Sequence, residues 1–86
     1  MNSIKQLRNK IDEVDEEIVH LLAKRAKICE TVGTAKKVQG LPIRDGEREG
    51  EVYKRARQRA AQLSLNPVQV EAVYREIVNM CSSVQE

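Results

Sequence analysis

The sequence predicts an all-α protein with three helices in one domain of 86 residues, the first helix being very long. Apolar residues recur in steps of three and four through three stretches of the chain, which is the period of an amphipathic helix. A helix-capping residue precedes each stretch, and the pair Leu41-Pro42 interrupts the chain after the first. We expect helices at about 3–38, 46–63 and 67–84.

The first helix carries a heptad seam with one residue that does not fit a hydrophobic core. Arg25 stands between Leu21 and Ile28, where the repeat requires an apolar residue. Burying an unpaired guanidinium is costly, so Arg25 either meets a buried anion or the seam opens there into a polar cavity. The apolar seam residues are Ile4, Leu7, Ile11, Val14, Ile18, Leu21, Ile28, Val32 and Ala35.

The bounds of the first helix follow from its capping residues and its charges. Asn2 or Ser3 can cap its start, and Gln39-Gly40 ends it. Its first half is acidic and its second half is basic, a distribution that the helix dipole favours. Gly33 lowers the stability of the helix by about 1 kcal/mol relative to alanine. The acidic residues are Asp12, Glu13, Asp15, Glu16 and Glu17, and the basic residues are Lys24, Arg25, Lys27, Lys36 and Lys37.

The second and third helices are shorter, and each has one apolar face. Asp45 caps the second helix, and Gly46 and Gly50 weaken its first turns; these glycines either let another group come close or have no role. Asn66 caps the third helix, and Pro67 takes its first position. The apolar faces comprise Val52, Tyr53, Ala56, Ala60 and Leu63 in the second helix and Val70, Val73, Ile77, Cys81 and Val84 in the third.

The length of the first helix predicts an oligomer. A helix of this length extends about 52 Å, whereas a compact chain of this size has a radius of gyration of about 12 Å. The helix therefore overhangs any core that one chain could form, and Tyr53 and Tyr74 are the only Phe, Trp or Tyr residues available to that core. A second copy of the chain would cover the overhang, so we expect an intertwined, obligate homodimer.

Charge and cysteine content exclude several classes of function. A net charge of +2 with interspersed charges gives no strong field for nucleic acid or a membrane. Cys29 and Cys81 have no CxxC spacing and no histidine partners, so we expect buried free thiols, with neither a metal site nor a redox pair. No apolar run is as long as a signal or transmembrane segment, so we expect a protein of the reducing cytoplasm.

Polar residues suited to a small anion occur at three places along the chain. Arg25 and Lys36 lie on nearly the same helix face about 16 Å apart, where they could hold two ends of a dianion. Taken alone, Lys36 could equally be a solvated lysine, and the D-x-x-R-E string at 45–49 could be a cap with surface ion pairs. Gln85 follows Cys81 by one turn on the apolar face and needs a polar partner there, unless the helix end is frayed.

Four short motifs carry a resemblance to a known family. They are L-R-x-K-I-D at 7–12, L-L-A-x-R at 21–25, V-G-x-A-K at 32–36 and P-I-R-D-x-x-R-E at 42–49. In this order and spacing the chain resembles the all-helical, AroQ-type chorismate mutases over nearly its whole length. The resemblance implies conversion of chorismate to prephenate in tyrosine and phenylalanine biosynthesis, a unimolecular Claisen rearrangement without a cofactor, a metal or a protein nucleophile.

By that resemblance, five residues bind the substrate. Arg8 and Arg25 bind its two carboxylates, helped by Arg48. Asp45 shapes the site through its cap and backbone. Cys81 stands where relatives often carry serine near a carboxylate, which is a departure from the family pattern.

The same resemblance gives catalytic roles to three residues. Lys36 and Gln85 contact the ether oxygen on which negative charge grows, and Glu49 holds the ring hydroxyl. The composition agrees, because His20 is the only histidine and neither cysteine has a candidate activating base. Catalysis would then rest on conformational clamping and electrostatic stabilisation.

Helix geometry indicates that one chain cannot supply all these residues to one site. Arg8 lies about 25 Å from Arg25 and about 42 Å from Lys36 along a straight helix, farther than one small substrate spans. Arg8 must then come from a second subunit, which an antiparallel pair of first helices would allow.

Two alternative functions stay open. An isochorismate pyruvate lyase would share the scaffold and the arginine clamp, although Glu49 suits chorismate better. A non-catalytic helical module for dimerisation or regulation would use Arg25 to set the register of the seam.

Overall fold

The computed structural model describes residues 3–86 and confirms the predicted all-α fold with three helices. The helices are α1 (Ile4–Gln39), α2 (Gly46–Gln62) and α3 (Pro67–Gln85), and residues 3–86 contain no β-strand. α3 packs against both α1 and α2, so it is the central element of the chain. Within the described part of the chain, no helix is long and apolar enough to cross a membrane.

Both ends of α1 are fixed by local interactions. Ser3 Oγ accepts the backbone N–H of Gln6 at 3.2 Å, and Gln6 Oε1 accepts the backbone N–H of Ser3 at 2.8 Å, which together form a capping box. Asn2, the other candidate cap, lies outside the described residues. Gly40 ends α1 with a φ of 70°, a left-handed conformation that glycine adopts without steric cost.

The predicted caps of α2 and α3 are also formed. Asp45 Oδ1 accepts the backbone N–H of Arg48 at 3.1 Å. Asn66 Oδ1 accepts the N–H groups of Val68 and Gln69 at 2.9 and 3.3 Å. The Asp45 cap determines where α2 begins, and it therefore sets the direction in which the first turn of α2 presents its side chains.

The face of α1 that packs against α3 lies beside the heptad seam. Half of its residues, Ala26, Cys29 and Gly33, are small, which lets two helices approach closely. The seam itself is exposed to solvent in the isolated chain: the side chains of Ile11, Leu21 and Ile28 are 57%, 63% and 56% exposed. The buried or half-buried residues of α1 are Leu22, Arg25, Ala26, Cys29, Gly33 and Lys36.

The first half of α1 projects from the rest of the chain. Residues 4–21 are all exposed, and the molecule measures 57 × 24 × 15 Å along its principal axes. Its radius of gyration is 16.1 Å, whereas a compact chain of this length would have about 12 Å. The predicted overhang is therefore present in the isolated chain.

The apolar face of α2 is buried against α3 for most of its length. Tyr53, Ala56 and Ala60 are buried as predicted, and Val52 is half-buried. Leu63 is 56% exposed, contrary to expectation. It is the C-cap residue, where the chain leaves the helix and no longer presents its side chain to α3.

The buried face of α3 differs from the apolar face expected from its sequence. Val73 and Val84, predicted to lie in the core, are 59% and 38% exposed. Val78 and Ser82 are buried instead, and Gln85 is buried, as its position one turn after Cys81 on the apolar face predicted. α3 is in contact with two helices at once, so polar residues that a hydrophobic pattern leaves out are enclosed between them.

An ionic cluster on the surface joins α2 to α3. Glu71 accepts hydrogen bonds from Arg75 at 2.9 and 3.1 Å and from Arg57, and these bonds, that of Arg75 first, lower the pKa of its carboxyl group. The guanidinium of Arg75 also lies 4.4 Å from the centre of the Tyr53 ring. These contacts fix the register of α3 on α2.

The two cysteines correct the sequence-based expectation of free thiols. Cys29 of α1 and Cys81 of α3 form a disulfide, with their Cα atoms 5.4 Å apart. Both residues lie on facing sides of the α1–α3 contact, which their sequence separation of 52 does not reveal. By the chain-entropy relation, closing a loop of that length would stabilise the fold by about 4 kcal/mol.

Candidate active site

A cavity of about 420 Å³ lies between the second half of α1, the start of α2 and the end of α3. Seven of the eight predicted site residues line it: Arg25, Lys36, Asp45, Arg48, Glu49, Cys81 and Gln85. The other lining residues are Ile28, Cys29, Val32, Ile43, Val52, Val78 and Ser82. The three helices thus bring most of the predicted polar groups together against an apolar wall.

Lys36 and Gln85 form a direct pair across the α1–α3 contact. Lys36 Nζ donates to Gln85 Oε1 at 2.8 Å and to the backbone carbonyl of Ile43. Gln85 Nε2 donates to Cys81 Sγ at 3.0 Å. An ammonium has three donors and an amide nitrogen has two, so each group retains one N–H for a ligand.

Gly33 permits this pair to form. A Cβ atom added at Gly33 would lie 2.9 Å from Cα, Cβ and Cγ of Gln85, which is closer than such atoms pack. Gly33 is therefore the point where α3 approaches the α1 backbone, and the interpretation of this glycine as a mere weak point in the helix is incomplete. At Gly46 and Gly50, by contrast, an added Cβ would meet nothing within 4 Å.

Glu49 is held by Arg44, a residue that the sequence interpretation did not single out. Arg44 Nε and Nη2 donate to the two carboxylate oxygens of Glu49 at 2.8 and 2.7 Å, and Nη1 donates to Asn79 Oδ1 at 3.3 Å. The hydrogen bond to Glu49 raises the pKa of Arg44 above its ordinary value. A bidentate pair of this kind fixes the carboxylate in one plane, and its remaining lone pairs can still accept a hydroxyl proton.

Arg25 is half-buried and has no acidic partner within residues 3–86. Its Nη1 donates to Cys29 Sγ across 3.8 Å. Arg48 lines the cavity but is exposed to solvent, and its Nη1 lies 3.4 Å from Glu51 Oε2. Since the Asp45 carboxylate caps α2 and Glu49 is paired with Arg44, the cavity retains a surplus of positive charge that suits a dianion.

Arg8 is the predicted site residue that the chain does not bring to this cavity. It lies on the exposed, overhanging half of α1, about 25 Å along the helix from Arg25. The site of one chain, as the structure describes it, therefore lacks Arg8.

The comparisons with known proteins identify the family of the chain. The family model "Chorismate mutase type II" matches residues 7–86. The chain belongs to the chorismate mutase type II family. This confirms the family to which the four motifs pointed.

Two relatives are similar to this chain at moderate sequence identity. A bifunctional chorismate mutase/prephenate dehydratase of Aquifex aeolicus is 36% identical over 89 residues, which cover 100% of this chain and 25% of that protein. A chorismate mutase of Methanocaldococcus jannaschii is 39% identical over 57 residues, 66% of this chain and 58% of that protein. The chain thus spans about a quarter of the length of the Aquifex relative.

A solved structure supports the fold over the full length. A conserved hypothetical protein from Pyrococcus furiosus superimposes with a TM-score of 0.75 at 32% identity, covering 99% of this chain and 100% of that one. The fold of nearly the whole chain is therefore similar to that of a solved structure.

Proposed function

We propose that the chain catalyses the rearrangement of chorismate to prephenate, a step of tyrosine and phenylalanine biosynthesis. The observation that carries the proposal is the Lys36–Gln85 pair, which presents spare N–H donors to a cationic cavity. Chorismate is a dianion with an ether bond that breaks in the reaction. Donors fixed beside the ether oxygen stabilise the negative charge that grows there in the transition state.

The other polar residues of the cavity would hold the substrate in its reactive fold. Arg25 would bind one carboxylate, helped by Arg48, and Arg8 of a second subunit would bind the other, which brings the enolpyruvyl arm over the ring. Glu49, oriented by Arg44, would accept the hydrogen bond of the ring hydroxyl. Lys36 and Gln85 act most strongly in the transition state, so their loss should lower kcat more than it raises KM.

The site would be completed by a second copy of the chain. Two α1 helices that pack antiparallel through their bare heptad seams would bury apolar side chains that are 41–68% exposed in one chain, from Ile4 to Val32. The acidic first half of each helix would then face the basic second half of the other. The same arrangement carries Arg8 of the partner subunit to the cavity.

Purified protein incubated with chorismate tests the function. The proposal predicts loss of chorismate absorbance and a product that acid converts to phenylpyruvate. Isochorismate, tested in parallel, should not release pyruvate. Release of pyruvate without prephenate would identify a lyase, and no turnover of either substrate would favour the non-catalytic helical module.

Gly33→Ala should reduce turnover although alanine favours a helix. The added methyl group would push Gln85 away from Lys36, and a displacement of about 1 Å in a positioned group can lower the rate about a hundredfold. We expect kcat for chorismate to fall by about ten- to a hundredfold, with the change measured by steady-state kinetics.

Gly50→Ala provides a matched control for the glycine substitution. Its methyl group would meet open space, so the variant should keep wild-type kinetics and gain up to about 1 kcal/mol of stability. Equal kinetics in the Gly33→Ala and Gly50→Ala proteins would mean that the contact between Gly33 and Gln85 does not position the site.

A further inference from the structure

The Cys29–Cys81 disulfide touches two of the candidate site residues directly. Its Cys81 sulfur accepts the Gln85 amide N–H at 3.0 Å, and its Cys29 sulfur lies 3.8 Å from Arg25 Nη1. Both cysteines line the cavity. The bond thus joins α1 to α3 one helical turn from the arginine on one side and one turn from the glutamine on the other.

The disulfide favours one orientation of the Gln85 amide. A disulfide sulfur can only accept hydrogen bonds, so it favours the amide orientation with Nε2 toward sulfur and Oε1 toward Lys36. A thiol can also donate, and a free Cys81 side chain can rotate. Gln85 is the last residue of α3, where helix ends fray unless they are anchored.

We propose that Cys29–Cys81 is a reversible thiol–disulfide site that controls turnover through the position of Gln85. The oxidised form holds the amide in place and is the more active form, and the reduced form is the slower one. The activity readout of this inference rests on the proposed chorismate mutase function. Gln85 is the group that acts on the substrate, and the cysteine pair is a positioning element.

The chemistry requires only a small dithiol and a small disulfide. Cys29 is 6% exposed, whereas Cys81 is half-buried and lines the open cavity, so a thiolate of the dithiol attacks Cys81 Sγ. The S–S bond breaks and its electron pair goes to Cys29 Sγ, which takes a proton. The second thiol of the reductant then displaces Cys81 as a thiolate, which is also protonated, and the reductant leaves as a disulfide. Two-electron oxidation by a low-molecular-weight disulfide reverses the exchange.

The kinetic experiment compares the full chain after treatment with oxidised glutathione and after treatment with dithiothreitol. Thiol labelling confirms the redox state, and circular dichroism confirms that both forms are folded at the assay temperature. We expect reduction to lower kcat about tenfold with a smaller change in KM, and reoxidation to restore it. Cys29→Ala, which cannot form the bond, should show the low kcat under both conditions. Equal kcat in the two redox forms of the wild type would overturn the proposal.

A second measurement does not depend on catalysis. The side-chain amide of Gln85 is observed by NMR in both redox states, and we expect its solvent exchange to be slower, and its two N–H signals more widely separated, in the oxidised protein. An amide spectrum unchanged by reduction would overturn the inference. Absence of chorismate turnover in both forms, together with the expected change in the amide signals, would contradict the proposed function and leave the effect on Gln85 standing.

Discussion

Arg25→Leu should hold or raise the stability of the protein and abolish its turnover. Arg25 makes no ion pair within residues 3–86, and it lies against Leu22, Ala26 and Met80 around a cavity of about 10 Å³. Leucine would complete the heptad seam and would break no ion pair of the described chain. Loss of a carboxylate contact from a desolvated guanidinium should lower kcat/KM on the order of a hundredfold or more.

Thermal melting and chorismate kinetics on the same preparation measure the two effects. Lys27→Leu is a suitable control, because it removes one positive charge from an exposed position of α1 outside the seam and should keep wild-type activity. A collapse of the melting temperature in Arg25→Leu would mean that Arg25 neutralises a buried carboxylate and has a structural role.

Gln85→Glu should make the rate of turnover depend on pH, with higher activity at lower pH. At neutral pH the new carboxylate would accept from Lys36 and would have no N–H to offer the ether oxygen. Removing one such donor lowers kcat about a hundred- to a thousandfold. Activity should rise as the pH falls, because a protonated carboxyl group can donate again. Burial would raise the pKa of this carboxyl group and Lys36 would lower it.

The pH profile of kcat for Gln85→Glu, compared with that of wild type, measures this dependence. Gln58→Glu introduces the same charge at an exposed position of α2 and should leave the wild-type profile unchanged. A Gln85→Glu protein with the rate and pH profile of wild type would show that residue 85 does not contact the ether oxygen.

The heptad seam shows how far a single sequence leads in predicting packing. The apolar period predicted a long helix, which the structure has, and a partner surface over Leu7 and Val14, which are exposed in the isolated chain. It could not distinguish a partner within the chain from a second copy. The face that packs on α3 contains Ala26, Cys29 and Gly33, which carry too little apolar surface to stand out in the sequence.

The candidate site was predictable where local rules apply. The Asp45 cap followed from its position before an apolar helix, and its hydrogen bond to the backbone of residue 48 is formed. The pairing of Lys36 with Gln85 joins residues 49 positions apart, and only the family resemblance placed them together. The roles assigned to these side chains toward substrate stay predictions.

Arg44 and the disulfide were both missed in the sequence. Arg44 stands in a loop beside several other charged residues, and nothing local indicates that it pairs with Glu49. Cys29 and Cys81 lack any short-range spacing that signals a bond. Cys29 and Cys81 meet because α1 packs against α3, which sequence spacing does not encode. Arg44 and Glu49 are only five residues apart, and they meet where the loop before Asp45 leads into α2.

The most direct test of the proposed shared site uses two variants, Arg8→Ala and Arg25→Ala, each of which should be nearly inactive. A mixed dimer would contain one intact site, made from Arg25 of the first variant and Arg8 of the second, while its other site would lack both. Unfolded together in equal amounts and refolded, the variants should recover about a quarter of wild-type activity, because half of randomly assorted dimers are mixed. Mixed dimers that form, as native mass spectrometry would show, yet have no activity would contradict a site completed by Arg8 of the partner subunit.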